Sequence, residues 1–173
     1  MLPLLWYLIQ HYTMFYQLPI TKDEILSLTK GELERDYDTW VDGVIYYEKE
    51  DDLHKYHIDE DTRTITICIP TEHLYLDYDM NTKNLKSIIY TCTDWSDDLT
   101  RYDFDEKGEL FYIEDTSHGG NRRTYVTVHG NVITKVEKGY SKSNYYQEGA
   151  VLVPKKMFED VFQYFNDYFN IGK

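Results

Sequence analysis

The fold class is decided by residues 124–136, which read TYVTVHGNVITKV. Apolar and polar side chains alternate in the two halves, TYVTV and VITKV, and alternation with a period of two is the pattern of a β-strand with one buried face. The halves are separated by His129-Gly130-Asn131, and glycine can adopt the positive φ that a tight turn requires. These features predict a β-hairpin.

The pattern of short alternating runs extends over the wider stretch from Ile65 to Glu137. Isoleucine takes every second position in residues 64–69, which assigns the isoleucines to one face of a strand. Further runs follow, separated by turn-forming residues at 79–84 and 105–108. The fairly even spacing predicts a twisted antiparallel β-meander of about six to eight strands.

A helix is predicted near each end of the chain. Thr21 has the position of an N-cap, with Glu24 three residues later and Gly31 beyond the apolar run, which predicts a short helix. A long helix is predicted after Pro154, because apolar and polar residues recur there at helical spacing on opposite faces. The apolar stripe comprises Phe158, Val161, Phe162, Phe165 and Phe169, and the polar face comprises Lys156, Glu159, Asp160, Gln163, Asn166, Asp167 and Asn170. We expect this amphipathic helix to pack on one face of the sheet, which makes the fold α+β.

The length of 173 residues is typical of one domain, so residues 1–173 are predicted to form a single α+β domain. The apolar start lacks a basic region and a small-residue cleavage site, and it is too short to span a bilayer. Met14 offers a second start, which would make residues 1–14 an upstream extension. No membrane association is expected, and the cytoplasm is the default location.

The charge of the chain is strongly negative and unevenly distributed. The net charge is −13, from 31 acidic against 18 basic residues, so duplex DNA and anionic membranes are repelled and a basic protein is attracted. Residues 32–61 alone contain twelve acids and three bases, a net charge of −9. This part of the chain is therefore the candidate for contact with a basic partner.

The common catalytic and metal-binding motifs are absent from the sequence. His54 and His57 are three residues apart, a spacing that assigns them to opposite faces of a strand. Cys68 and Cys92 lack the histidine spacing of a zinc site and are expected to be reduced structural residues. His118 lies in a glycine-rich loop without a partner at a defined spacing. We therefore predict no catalytic residue, no metal and no cofactor.

Tyrosine is unusually frequent, with 18 residues. Tyrosine and tryptophan provide large contact areas with little loss of rotamer entropy, so they are enriched in binding hot spots. The alternative is that the tyrosines edge a small core and alternate on the exposed face of the sheet. Where aromatic residues and acids interleave, we predict a partner-binding surface formed by Asp36, Asp38, Trp40, Asp42, Tyr46, Tyr47, Glu50, Asp51, Asp52 and Tyr56.

The sequence favours a non-enzymatic acidic protein that captures a basic protein partner. In size, charge and lack of an active-site motif only, it resembles immunity proteins, which implies an inhibitor of a cationic toxin such as a nuclease. One alternative is a small-molecule-binding or enzymatic α+β domain with a tyrosine-lined pocket. Another is a phage-type anti-defence protein that mimics nucleic acid. An enclosed cavity would favour the first alternative, whereas a flat acidic face would favour the binding protein.

Overall fold

A computed structural model describes residues 16–18, 45–48, 55–59, 61–69, 73–91, 98–117, 122–138 and 146–168. Within these ranges the chain forms nine strands and two short helices. The strands are β1 (Ile45–Glu48), β2 (Lys55–Asp59), β3 (Thr64–Ile69), β4 (Leu74–Asp79), β5 (Leu85–Thr91), β6 (Leu99–Phe104), β7 (Leu110–Ser117), β8 (Arg122–His129) and β9 (Val132–Lys138). The helices are α1 (Pro154–Met157) and α2 (Glu159–Tyr168).

All nine strands belong to one sheet, in which their order is the order of the chain. Each strand pairs antiparallel with its neighbours in sequence. The expected antiparallel, sheet-rich class is therefore confirmed, although nine strands exceed the predicted six to eight. The hairpin predicted from residues 124–136 is formed by β8 and β9, with Val126 opposite Val136.

One face of the sheet, the core face, carries the apolar side chains of alternate residues. A representative row crosses seven strands and consists of Ile67, Leu76, Ile88, Tyr102, Ile113, Val126 and Val136. Most of this row is fully buried. The period-two alternation of the sequence is therefore the cause of a continuous apolar layer.

The C-terminal helical segment covers the core face through three buried side chains, Phe158, Val161 and Phe165. The ring of Phe158 packs edge-on against Tyr102, with 5.0 Å between ring centroids, and against Phe104 at 5.7 Å. Such edge-to-face pairs are favourable beyond the area that they bury. These contacts attach the helix to the middle of the sheet.

The prediction of one long helix after Pro154 is wrong. The segment is divided into α1, of four residues, and α2, of ten residues, and Phe158 between them has non-helical angles of φ −116° and ψ 23°. We attribute the break to tertiary packing, because Phe158 is the residue whose ring contacts β6. Phe169 of the predicted stripe lies outside the described residues.

The faces of α2 also differ from those predicted. Phe162 is only partly buried, whereas Val161 and Phe165 are fully buried. Asn166, predicted to lie on the polar face, is half-buried, and its Oδ1 is buried. The helix is therefore turned slightly about its axis relative to the predicted orientation.

Two short segments extend the sheet at places that the sequence does not indicate. Residues 16–18 pair with the start of β5, where Leu18 donates its N–H to Lys83 O and Leu85 donates to Tyr16 O. Residues 149–152 pair with the start of β9 through Ile133 and Leu152. The short helix predicted after Thr21 lies outside the described residues. No helix in the described ranges is long and apolar enough to cross a membrane.

Candidate functional site

The predicted partner-binding surface is described only in part. Tyr46 and Tyr47 lie on β1 and Tyr56 lies on β2. The other seven predicted residues, Asp36, Asp38, Trp40, Asp42, Glu50, Asp51 and Asp52, lie outside the described residues. The structure therefore gives only the strand register of these three tyrosines, and the binding surface stays a prediction.

The strand register divides these tyrosines between the two faces of the sheet. Tyr47 is opposite Tyr56, and Tyr56 is opposite the buried Ile67, so both positions belong to a row of the core face. Tyr46 is opposite His57, and His57 is opposite Thr66, which belongs to the other face. Of the three register positions, that of Tyr46 alone belongs to a row of the face opposite the core.

That second face, the polar face, carries the hydroxyl and charged residues of the sheet. Its central row crosses β3 to β8 and consists of Thr66, Asp77, Ser87, Asp103, Tyr112 and Thr127. The described helices pack on the core face through their apolar side chains. The polar face is therefore where charged groups can meet another molecule.

A groove, the acidic groove, lies on the polar face at the end of the sheet that carries the β2–β3, β4–β5 and β6–β7 turns. It consists of two adjoining concavities of about 810 and 270 Å³, which share Lys86 and Arg101. Its charged lining comprises the carboxylates Asp59, Asp77, Asp79, Asp103, Asp105 and Glu106 and the cations Lys86 and Arg101. Six carboxylates against two cations make a net charge of −4.

Three of these carboxylates are positioned by hairpin turns. Asp59 Oδ1 accepts the N–H groups of Asp61 and Thr62, each at 3.0 Å. Asp79 Oδ1 accepts those of Asn81 at 2.9 Å and Thr82 at 2.7 Å. The third, Asp105, closes the β6–β7 turn in a similar way. Short aspartate side chains favour such turns because they mimic a backbone acceptor.

The first two turns repeat one short sequence pattern. Residues 59–63 read DEDTR and residues 79–83 read DMNTK. In each turn the last residue, Arg63 or Lys83, has a positive φ, of 54° and 60° respectively. The turn chemistry therefore recurs along one end of the sheet and brings Asp59 and Asp79 into the lining of the same groove.

The turn hydrogen bonds make the stability of the protein depend on pH. Hydrogen bonds from Thr62 lower the pKa of Asp59, and hydrogen bonds from Thr82 lower the pKa of Asp79, relative to the ordinary value of 3.8. Because the folded-state pKa values are lowered, the stabilisation is present above the ordinary pKa and is lost as the pH falls through the folded-state values.

We expect Asp79→Asn to weaken the loss of stability on acidification. An amide oxygen can still accept the turn hydrogen bonds, but it carries no charge to be neutralised by acid. Urea unfolding of the natural protein and the variant at about pH 6 and about pH 3 measures the difference. Equal losses of unfolding free energy in both proteins would contradict this role of Asp79.

The centre of the groove is held by Asp77, whose carboxylate bridges two neighbouring strands. Thr66 Oγ1 donates to Asp77 Oδ1 at 2.6 Å, and Ser87 Oγ donates to Asp77 Oδ2 at 2.8 Å. Lys86 Nζ donates to Thr64 Oγ1 at 2.9 Å. These bonds give the groove a defined floor of polar groups.

Arg101 occupies the junction of the two concavities. Its Nε lies 2.7 Å from Asp103 Oδ1. Burial lowers the pKa of Arg101, but the hydrogen bond to Asp103 and the negative charges of Asp103, Asp77 and Glu114 outweigh burial and raise it. Carboxylates from β4, β6 and β7 therefore act on one guanidinium.

A tyrosine cluster lies on the core face, at the other end of the sheet. Tyr90 packs edge-on against Tyr102 with 6.3 Å between ring centroids, and it hydrogen-bonds with Asp160 of α2. Tyr102 also hydrogen-bonds with Tyr146. Burial raises the pKa values of all three phenols, so they stay protonated. These three tyrosines lie at the edge of the core, which is the arrangement expected if tyrosines serve packing rather than binding.

A further cavity of about 690 Å³ lies between the β6–β7 turn and the start of α1. Its lining is mixed, with apolar side chains such as Leu110, Leu152 and Pro154. Tyr16 is the one tyrosine in its described lining, which differs from the predicted tyrosine-lined pocket. Among the described residues, no group of three or more histidine, cysteine, aspartate or glutamate side chains is arranged to hold a metal ion.

Comparison with protein-family models, curated proteins and solved structures finds no match. The geometry and charge of the groove are therefore the observations from which a function can be argued.

The groove is not predicted by the sequence as a whole, although one local signal of it is present. In β4, which reads LYLDYD, Asp77 and Asp79 take the positions between Leu76, Tyr78 and the following turn. Alternation alone assigns these two acids to the polar face. The contribution of Asp103 and Arg101 required the pairing of β5 with β6, which the sequence does not specify.

Proposed function

We propose that this chain is a non-enzymatic acidic protein that captures a basic protein partner, in particular as the immunity or inhibitor protein of a cationic toxin such as a nuclease. The single observation that supports the proposal best is the acidic groove, with a net charge of −4 on the polar face. The net charge of −13 also attracts a basic partner, and it does so over longer distances than the groove alone.

The groove combines two features that are useful for binding a protein. Its carboxylates favour basic side chains and raise the rate of encounter with a positively charged surface. Phe111, which is 45% exposed, lines the larger concavity and offers an apolar contact. Aromatic anchors surrounded by polar groups are typical of interface hot spots.

In this proposal the acidic residues of the predicted surface act mainly as a steering rim. Charges at a rim change the association rate more than the dissociation rate, while buried aromatic anchors act on dissociation. Tyr46, on the polar face, is assigned to the interface. Tyr47 and Tyr56 are assigned to the stability of the sheet, because their rows continue into the core.

We expect charge reversal at Asp38, Asp42, Asp51 and Asp52 to slow association with the partner about tenfold at low salt. Trp40→Ala and Tyr46→Ala should instead speed dissociation. Affinity capture from the source cell at low and high salt identifies the partner, and surface plasmon resonance then measures both rates. Steering should weaken as the Debye length decreases from ~10 Å at 0.1 M to ~3 Å at 1 M salt.

Tyr47→Ala is the matched control for Tyr46→Ala, since the two residues are adjacent on β1 but belong to opposite faces. It should lower the melting temperature more than it changes the dissociation rate. Association rates that respond neither to salt nor to the four reversals would refute electrostatic capture.

A second candidate function, small-molecule binding, is favoured by the cavity beside α1. Its volume of about 690 Å³ lies within the range of roughly 300–1,000 Å³ that is usual for ligand sites. A screen for ligands that raise the melting temperature would test it, with Leu110 and Leu152 as sites for substitution.

A further inference from the structure

We propose that the acidic groove binds an extended, arginine-bearing segment of the protein partner at the position that Arg101 now marks. This inference rests on the proposed capture of a basic protein, and it names the side chain that the groove selects.

The first support is the chemistry that already surrounds a guanidinium in the groove. Arg101 Nε donates to Asp103 Oδ1 at 2.7 Å, and the Arg101 side chain remains 44% exposed. Its direct cross-strand partners are Glu114 on β7 and Ile89 on β5, and Ser87, which bonds to Asp77, is the diagonal neighbour on β5. A guanidinium is therefore stable between these carboxylates while one side of it still faces solvent.

The second support is the charge that remains once the internal contacts are counted. Arg101 neutralises one carboxylate, and Lys86 donates to a threonine hydroxyl, Thr64 Oγ1. The turn aspartates accept their backbone hydrogen bonds through a single oxygen, Oδ1. These bonds position the carboxylates but leave their negative charge, so further cations are attracted.

The third support is the shape of the groove. Its two concavities adjoin across the strands at Lys86 and Arg101, so an occupant is expected to be extended rather than compact. Phe111 borders one concavity and can contact an apolar residue near the basic one. Arginine suits the site better than lysine, because its planar fork can bond two carboxylate oxygens at once and can stack on an aromatic ring.

Arg101 is therefore an internal competitor for the incoming guanidinium. Arg101→Gln removes this competitor and changes the groove charge from −4 to −5. A structural role for Arg101 predicts weaker or unchanged binding in this variant. Competition predicts tighter binding instead, so the direction of the change separates the two roles.

The probe is a short synthetic peptide with two arginines and one phenylalanine spaced by glycine and serine. Matched peptides carry lysine or glutamine in place of arginine. Binding to the full chain is measured by NMR, from the shifts of backbone amides, at ~0.01 M and ~0.15 M salt, where the Debye length is ~30 Å and ~8 Å. The amides that shift identify the surface that the peptide contacts.

The groove variant is Asp103→Asn with Glu106→Gln, and the control variant is Glu137→Gln with Glu159→Gln. Each variant removes one ion-paired and one exposed carboxylate, so their net charges are equal. We expect the arginine peptide to shift amides of β4 to β7 and to bind the groove variant about fivefold more weakly. The control variant should bind normally, and Arg101→Gln should bind about threefold more tightly.

If the double groove variant melts at a lower temperature, Glu106→Gln alone keeps the test valid, since Glu106 is exposed in a turn. Equal losses in the groove and control variants, with shifts in β1 and β2, would overturn the groove but preserve capture of a basic partner. Equal affinity for the lysine peptide, or unchanged or weaker binding by Arg101→Gln, would overturn selection of arginine. No binding of any cationic peptide, together with salt-insensitive association of the captured partner, would overturn both proposals.

Discussion

Phe165→Ala is expected to lower the free energy of unfolding by about 3–5 kcal/mol, the usual range for emptying a buried aromatic site. Phe165 is fully buried, and its ring lies 6.2 Å from that of Tyr78, which is also fully buried. Its removal leaves a cavity between α2 and β4 that the rigid sheet cannot close. Urea denaturation followed by circular dichroism measures the loss.

Phe162→Ala is the matched control, since it removes the same side chain three residues earlier in the same helix. Phe162 is only partly buried, so the loss should be smaller, about 1–2 kcal/mol. From the sequence alone the two residues are equivalent members of one apolar stripe. Equal losses for both variants would mean that α2 is not oriented on the sheet as described.

Asp77→Ala should have the second largest effect, a loss of about 1–3 kcal/mol. The variant removes the acceptor of both Thr66 and Ser87. Ser87 is only 1% exposed, so bulk water cannot replace the hydrogen bond that its hydroxyl loses. A buried donor without a partner is costly. Urea denaturation at neutral pH measures the loss.

The double variant Asp77→Ala with Ser87→Ala separates the hydrogen bond from other effects. Because the unpaired hydroxyl is removed as well, its loss should be smaller than the sum of the two single losses. Strictly additive losses would contradict coupling between Asp77 and Ser87 across β4 and β5.

Much of the sheet could be predicted because its signal is local. The alternation in residues 124–136, with glycine in the turn, predicted the β8–β9 hairpin, and the isoleucines of residues 64–69 predicted one face of β3. Side-chain direction in a strand depends on the parity of sequence position alone. The number of strands was underestimated, because nine strands pair in the sheet where six to eight were predicted.

The interruption of the C-terminal helix could not be predicted in the same way. Residues 154–169 have a periodicity of 3.6, and nothing local distinguishes Phe158 from Phe162 or Phe165. The difference comes from the rings of Tyr102 and Phe104, which are more than fifty residues away in sequence and contact Phe158 only in the folded chain.

The candidate site shows the same division. The amino-acid composition shows a negative net charge and an excess of tyrosine. It does not show which tyrosine positions belong to the core face and which to the polar face, as for the neighbours Tyr46 and Tyr47 or for Tyr90 and Tyr112. Strand register assigns Tyr47 to the core face and Tyr46 to the polar face. It also brings Asp77 and Asp103 to either side of Ser87.

By itself, the sequence determined the antiparallel, sheet-rich class, the positions of the main turns and the acidic character of the chain, because each follows from neighbouring residues. The tertiary structure alone decided where the helix breaks, which tyrosines are buried and which carboxylates share a groove. Those features depend on the pairing of strands distant in sequence, and such pairing is stabilised by packing over the whole sheet rather than by any local pattern.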